Sequence, residues 1–518
     1  MSSADAPRSA PSSTTPRRAT PREWAALAVL TLPVLLISVD MTVLGFAVPH
    51  LSRDLAPTSV QLLWIVDVYA LVLASLLVTM GALGDRVGRR NLLMVGAAGF
   101  GVASLAAAFA PNAEAMIAAR ALLGLAGSTL MPSTLALIRN IFRDDVQRKF
   151  AIAVWSSALA GGSALGPVLG GALLEFFWWG SLFLINVPVT VLTLVLTPFL
   201  VREYRAAHPA PIDAASALLV SATVFPAVYG VKKLAEQGLA PVPLMLVAVG
   251  VFFGCVFVRR QLRRDNPMLD MRLFTIRAFS VGVWLNLLTL FTMIAGLFFL
   301  TQFLQIVLGI SPLRAGLALL PGLMLSIVAS FLAVGAATRL GFRGTLTAGL
   351  TLMAGGFAVL SQLPQGSAAV AVAGFALICF GMGLTQTLTN DAVVGSVPEE
   401  RVGAASAVSE TGYELGAALG IAILGSVLWA SYASAIRNVD GVPGEAMETA
   451  RDTLGGAVHT AESLAPEAAN ALVTAAHVAF VDAIHVTSTV AAVILALAAI
   501  HTAWVLRPAA PAPDRAPR

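Results

Sequence analysis

Four acidic residues stand inside stretches that are otherwise apolar: Asp40, Asp67, Glu410 and Glu414. A charge in hydrocarbon is costly, so such groups face a cavity or a partner. A low dielectric disfavours the ionised form, which suits these acids to exchanging a proton near neutral pH and to attracting a cation. At ~1.5 Å per residue, Asp40 and Asp67 fall in the outer half of the membrane. Glu410 and Glu414 lie one helical turn apart on one face, nearer the middle and the inner side. Arg120 reads as the only basic residue within a span, with one of the acids as its partner. A guanidinium does not usefully deprotonate, so its role in a proton-coupling set would be to tune a neighbour or to bind backbone carbonyls.

Aromatic side chains lie near these acids in the sequence: Trp64, Tyr69, Trp155, Phe291, Phe299 and Tyr413. Aromatic faces attract organic cations. Together with Asp67 and Glu410 they form a candidate substrate-binding set, although most aromatics in spans serve packing or interface anchoring. Glycine spacing marks close helix contacts. Gly162, Gly166 and Gly170 recur every four residues, with Pro167 and Gly171 beside them. Such a stripe lets another backbone approach, and the proline removes a donor and bends its helix. Gly412, Gly416 and Gly420 make a second stripe, about 200° from Glu410 on a helical wheel, so one face packs while the other turns its acids toward a cavity.

The elements that must hold these residues are membrane helices. The chain has 518 residues, 58% hydrophobic and only 12% charged, with a mean hydropathy of +0.84. Soluble domains carry about 25% charged residues. A soluble enzyme, a nucleic-acid binder and a disulfide scaffold are therefore excluded, and the class is an all-α polytopic membrane protein. Spans of about 20 apolar residues occur fourteen times: roughly 24–46, 62–82, 91–110, 115–138, 150–173, 179–200, 213–231, 241–258, 280–303, 313–336, 344–362, 368–390, 403–429 and 482–506. With the N-terminus inside, 25 Lys and Arg fall on inner segments and 6 on outer ones, Lys232 and Lys233 among the latter. That bias places both termini in the cytoplasm, in a plasma (inner) membrane.

The expected organisation is a disordered cytoplasmic tail over 1–23 and a six-helix bundle over 24–200. Inserted helices 7 and 8 with their loops occupy 201–279. A second six-helix bundle covers 280–506, with a long outer loop at 430–482, and a tail covers 507–518. The outer loop has the spacing of one or two short amphipathic helices. A faint internal repeat supports the two halves. Arg86-x-Gly88-x-Arg90 and Arg339-x-Gly341-x-Arg343 share spacing and membrane side, as in transporters built from repeats.

No GxxxxGK[ST] phosphate loop occurs, so ATP-driven pumping by this chain is not expected. Cys255 and Cys379 lack metal-ligand spacing, and so do the six histidines. Transport driven by an ion gradient remains, without a cofactor or a metal.

At this level of detail the motifs resemble a known family. GALGDRVGRRNLL (81–93) is similar to the signature loop of the major facilitator superfamily, and Arg120 with Gly124 resembles its helix 4 motif. Residues 162–171 resemble the antiporter motif of helix 5. The helix 1 segment from Asp40 to Pro49 resembles that of the fourteen-helix drug:proton antiporters. WIVDVYALVLA (64–74), FLINVP (183–188), NPMLDMRLF (266–274) and AVSETGYELG (407–416) resemble the QacA- and LfrA-type multidrug exporters.

The resemblance implies export of lipophilic cations, such as quaternary ammonium compounds, dyes and cationic drugs, in exchange for protons. Asp40 would couple to protons, and Asp67 and Glu410 would respond to substrate or protons. Gly81, Asp85, Arg86, Gly88, Arg89 and Arg90 would form a cytoplasmic gate stabilising the outward-open state. The pattern departs at Gly45, where the family often has Asn, at Ser409, and in 319–327, where QacA carries acids at the latter two. Divalent cations are accordingly expected to be handled less efficiently.

One entering proton supplies about 3.7 kcal/mol at 100 mV and one pH unit, and moving a monocation outward costs about 2.3 kcal/mol. A dication needs at least two protons. The expected partners are thus lipophilic cations, protons and membrane lipids, with no nucleic acid, for a monomer. The alternative is a dedicated exporter of one secondary metabolite or antibiotic for self-resistance.

Overall fold

The computed structural model of the protein describes residues 18–506, apart from 206–212, 265–266, 268, 398–401, 437–438 and 440–441. Most of the first expected tail and all of the second lie outside the described residues, as does Arg401. The first half supplies α1 (Pro21–Leu55), α2 (Ser59–Val87), α3 (Arg89–Ala108), α4 (Ala113–Ile141), α5 (Asp145–Phe176), the short α6 (Ser181–Leu184) and α7 (Asn186–Leu200). Next come α8 (Ala214–Gln237) and α9 (Pro241–Arg263), packed on each other. The second half supplies α10 (Arg277–Gln302), α11 (Pro312–Leu360), α12 (Ala368–Gly395), α13 (Val402–Ala435), α14 (Gly444–Asp452), α15 (Leu454–Ala461) and α16 (Pro466–Val505).

These segments are apolar all round, so the helix is the form that satisfies every backbone group without water. Their starts are written in the sequence. Thr20 and Thr58 cap α1 and α2, each in a reciprocal capping box with Glu23 or Gln61. Among the described residues, twelve helices are long and apolar enough to cross a bilayer, and α5, broken near residue 164, makes a thirteenth. The α11 helix counts twice. Its 49 residues break at Gly341, where φ is 72°, and ~1.5 Å per residue makes it more than twice as long as the ~30 Å hydrocarbon layer. Only glycine adopts that turn without strain. Counted this way the described helices make fourteen crossings, so Pro21 and Val505 stand on the same face. We call that face inner.

One expectation needs correction. The seventh span does not stop at residue 231. It runs on to Gln237 and carries Lys232 into the protein interior, where it is 1% exposed. Arg120 is therefore not the only basic residue within a span. Across the expected outer segment, α13 runs to Ala435 and α16 begins at Pro466. The segment between them holds two short helices, α14 and α15, and straps the second half to α1. Tyr432 donates to the Ala450 carbonyl (2.9 Å), Gly455 packs on Ser52, and Arg53 pairs with Glu462 (3.0 Å).

Contacts joining the halves gather toward the outer end. Gly171 abuts Pro312, Gly316 abuts the Pro167 carbonyl, Gly425 packs on Leu63, and Thr301 donates to the Gly45 carbonyl at 2.9 Å. The inserted pair sits at the seam, with α8 against both α2 and α13. At the inner end Asp213 caps α8 and pairs with Arg260 of α9 (3.0 Å) and with Arg264 just past its end (2.7 Å). Burial pushes the Asp213 carboxyl up, but donors on Ser216 and Arg260 outweigh it and hold it below the usual range.

Candidate functional site

A cavity of ≈ 340 Å³ lies between the halves, from the midplane toward the inner face. Seven helices line it. Met41 and Thr42 come from α1, Met131 from α4, and Trp155 and Ser163 from α5. The second half gives Met293 from α10, Ser326 and Ser330 from α11, Met382, Gln386 and Asn390 from α12, and Glu410, Tyr413 and Glu414 from α13. With the halves closed together at the outer end and the cavity in the inner half, the arrangement is inward-facing.

The α13 helix delivers its acids because its other face is committed. A Cβ on Gly412 would touch Val283, and on Gly416 or Gly420 it would collide with the backbone of Leu287 or Phe291 on α10. This close contact turns Glu410 and Glu414 into the cavity. Neither pairs with a cation among the described residues, and Glu414, 3% exposed, has one oxygen, Oε2, without a hydrogen-bond partner. Beside them Tyr413 donates to Asn390 Oδ1 (2.8 Å), and Asn286 Nδ2 donates to Asn390 Oδ1 (3.1 Å) and Ser409 Oγ (2.8 Å). Sequence reading missed this amide network, because an Asn in a span looks alike whether it faces lipid or a neighbour. Trp155 is fixed by donating Nε1–H to Thr134 Oγ1 (3.1 Å). Four methionines, soft and adaptable, make up much of the remaining wall.

The other two acids are each paired with a basic side chain. Arg120 Nη1 lies 2.5 Å from Asp40 Oδ2 with both side chains 1% exposed, its Nε donates to the Ile65 carbonyl (3.2 Å), and its guanidinium covers the Tyr69 ring at 4.6 Å. Asp40 Oδ1 keeps no hydrogen-bond partner, next to Met41 and Thr42 on the cavity wall. Asp67 pairs with Lys232 of α8, whose Nζ donates to Oδ1 at 3.0 Å and lies 2.9 Å from Oδ2. The same ammonium stands 3.7 Å above the Trp64 ring, and Trp64 is flanked by Phe225 and Tyr229 of α8.

The candidate substrate-binding set therefore divides. Glu410, Trp155 and Tyr413 line the cavity. Asp67, Trp64 and Tyr69 do not, because their polar faces are taken up by Lys232 and Arg120. Phe291 and Phe299 do not line it either: Phe291 gives its backbone to the α13 glycines, and Phe299 is buried at 1%.

The helix 5 stripe is a packing surface for α1. A side chain on Gly162 would strike Ser38, on Gly166 Thr42, and on Gly170 Val43. Pro167 and Gly171 turn toward α11 instead, so one short segment touches both α1 and the opposite half. In the α2–α3 loop, Asp85 accepts from Arg89 Nε (2.9 Å), and Arg89 also reaches the Pro132 carbonyl (3.4 Å). Gly81 faces Pro132 of α4, and Gly88 has φ 110° and leaves no room for a side chain against Glu203. Glu203 accepts from the backbone N–H of Arg90 (3.0 Å) and Asn91 (3.1 Å), a carboxylate on the N-terminus of α3. These contacts join α2, α3, α4 and the stretch just after α7, and none of them reaches the second half. Glu203 went unremarked in the sequence because nothing local ties the end of one span to the start of another.

Three comparisons bear on this geometry. The Major Facilitator Superfamily profile matches residues 30–421. The multidrug efflux pump LfrA of Mycolicibacterium smegmatis is 48% identical over 479 residues, 92% of this chain and 95% of that protein. The methyl viologen resistance protein SmvA of Salmonella typhimurium is 36% identical, over 89% of this chain and 93% of its own length. Among solved structures, a bacterial homologue of the human lysosomal transporter Spinster, in an inward-facing and unoccupied conformation, superposes with a TM-score of 0.65. It is 16% identical and covers 96% of this chain and 100% of its own.

Proposed function

The chain belongs to the Major Facilitator Superfamily, and from that premise we propose that it is a proton-driven multidrug efflux antiporter for lipophilic organic cations. It is a transporter and not an enzyme. The observation that carries the reading is the pair Glu410 and Glu414, two carboxylates without a cationic partner among the described residues, in a cavity walled by methionines, Trp155 and Tyr413. The relatives named as a multidrug efflux pump and a methyl viologen resistance protein support it.

A cation entering from the inner face, which the Lys and Arg bias assigns to the cytoplasm, meets soft apolar walls and two negative charges. Its charge then takes the place of solvent around those carboxylates. After the halves rock to open outward, protons arriving from the other side neutralise the carboxylates, and the attraction that held the cation disappears. The return journey carries protons in place of cargo. Two exchangeable acids allow two protons per cycle, the minimum for a dication. Asp40 takes a subsidiary part. A proton on it would weaken its bond to Arg120, which ties α1 to α4 beside the cavity. Asp85, Arg86, Arg89 and Arg90 would regain partners in the other half when the inner gate closes.

The test is ethidium transport in proteoliposomes with an imposed pH gradient, comparing wild type, Asp40→Asn and Glu410→Gln/Glu414→Gln. Wild type should concentrate ethidium and lose that ability with a protonophore. The double variant should not concentrate it at all. Uphill movement by the double variant at the wild-type rate would refute the proposal. A panel of unrelated cations separates this reading from a one-compound exporter, which would move a single member.

A further inference from the structure

A second cavity, of ≈ 420 Å³, lies at the outer end of the seam where α2, α8 and α13 meet under α14. Its wall includes Leu63, Lys232, Ser426, Trp429 and Asp452. Two buried polar atoms on that wall, Ser426 Oγ and Trp429 Nε1, have no hydrogen-bond partner. Buried polar groups are normally satisfied by protein or water, and this space has room for water. Its size is that of a pocket for a small organic molecule.

Beneath it stands the arrangement of Asp67, Trp64 and Lys232. A carboxylate at 2.9 Å and an indole face at 3.7 Å from one ammonium are the two elements that recognise a quaternary ammonium or another organic cation. Here the cation is supplied by the chain itself. We propose that Lys232 is a tethered stand-in for cargo: it fills a second cation site formed by Asp67 and Trp64, and an exported cation passing through the outer cavity takes that site by displacing it.

The inference rests on cation export as proposed above, and deepens it. It gives the inserted helices a task, since α8 contributes Lys232 as well as Phe225 and Tyr229 around Trp64. It also explains how a buried carboxylate at the exit avoids trapping cargo. A competitor on the same chain has a very high local concentration and returns as soon as the passenger leaves.

Ethidium binding to the purified protein, followed by fluorescence titration, tests this. Wild type should bind one equivalent through Glu410 and Glu414 and a second more weakly. Lys232→Met should tighten the second equivalent at least tenfold, and Asp67→Asn/Lys232→Met should cancel that gain. Trp64→Leu, which keeps the ion pair, should weaken the second equivalent at least fivefold and serves as the test should Lys232→Met fail to fold. The proposal is overturned if wild type shows no second equivalent, or if the second equivalent is unmoved in folded Lys232→Met or, should that variant not fold, in Trp64→Leu. Loss of the first equivalent in Glu410→Gln/Glu414→Gln reports on the main reading separately, so the two can fail independently.

Discussion

Glu414→Gln removes one charge from the central cavity while keeping the shape of the side chain, so its effect isolates electrostatics. A sphere with the cavity's volume of ≈ 340 Å³ has a radius of roughly 4.3 Å, which puts a centred cation about 5 Å from a wall carboxylate. At an effective dielectric of about 20 the attraction is then about 3.3 kcal/mol, a factor of roughly 250 in affinity. Water entering an inward-open cavity screens it. Doubling the dielectric halves the attraction to about 1.7 kcal/mol, or roughly 15-fold. The expected loss of ethidium affinity in Glu414→Gln therefore lies between about 15-fold and 250-fold at neutral pH. Fluorescence titration of the variant in nanodiscs measures it. In wild type the affinity should also fall as the pH drops and the two carboxylates take up protons, and the fall should be shallower in the variant. A change below threefold, with the same pH profile as wild type, would mean that the cavity does not hold cargo by charge.

Lys232→Met leaves Asp67 buried without a partner and should cost about 3–5 kcal/mol of stability, whereas Asp67→Asn/Lys232→Met should recover most of it; thermal unfolding of wild type and both variants in detergent measures this, and equal losses in the single and double variants would count against the pair. Gly166→Leu forces a side chain into Thr42 and the Val39 carbonyl, so α1 and α5 should separate, with transport lost and the melting temperature lowered by several degrees; a variant that melts and transports like wild type would contradict the close packing. Asp213→Asn should loosen the inner end of the α8–α9 pair at pH 7. Because the folded-state value lies below the ordinary 3.8, the Asp213 contribution is present above that pH and is lost as pH falls through the lower folded value. Melting curves of wild type and variant should therefore differ at neutral pH and converge in strong acid.

The fold was legible because membrane helices report themselves locally. Each span needs its own run of apolar residues, and Thr20, Thr58 and Gly341 mark where helices start or break. Glu410 and Glu414 were legible as a cavity pair because the glycines on the opposite face of their own helix fix which way they point. Lys232 was not. A lysine at the end of an apolar run looks like an interface anchor, and only the added turns of α8 bring it into the interior. The place of Trp64 and Tyr69 outside the central cavity was hidden for a related reason. Sequence places them near acids, but it does not show that Lys232 lies over the Trp64 ring and Arg120 over the Tyr69 ring, away from the central cavity.

Composition and spacing alone therefore determined that the chain is an all-helical, many-span membrane protein and that Asp40, Asp67, Arg120, Glu410 and Glu414 lie within apolar spans, since those properties depend on transfer energies along a single segment. Tertiary structure alone decided which of those charges are spent on one another and which remain free. Pairing Asp40 with Arg120 and Asp67 with Lys232 joins residues 80 and 165 positions apart. In a low dielectric the sum over partners, not the identity of one residue, sets what a carboxylate can still bind.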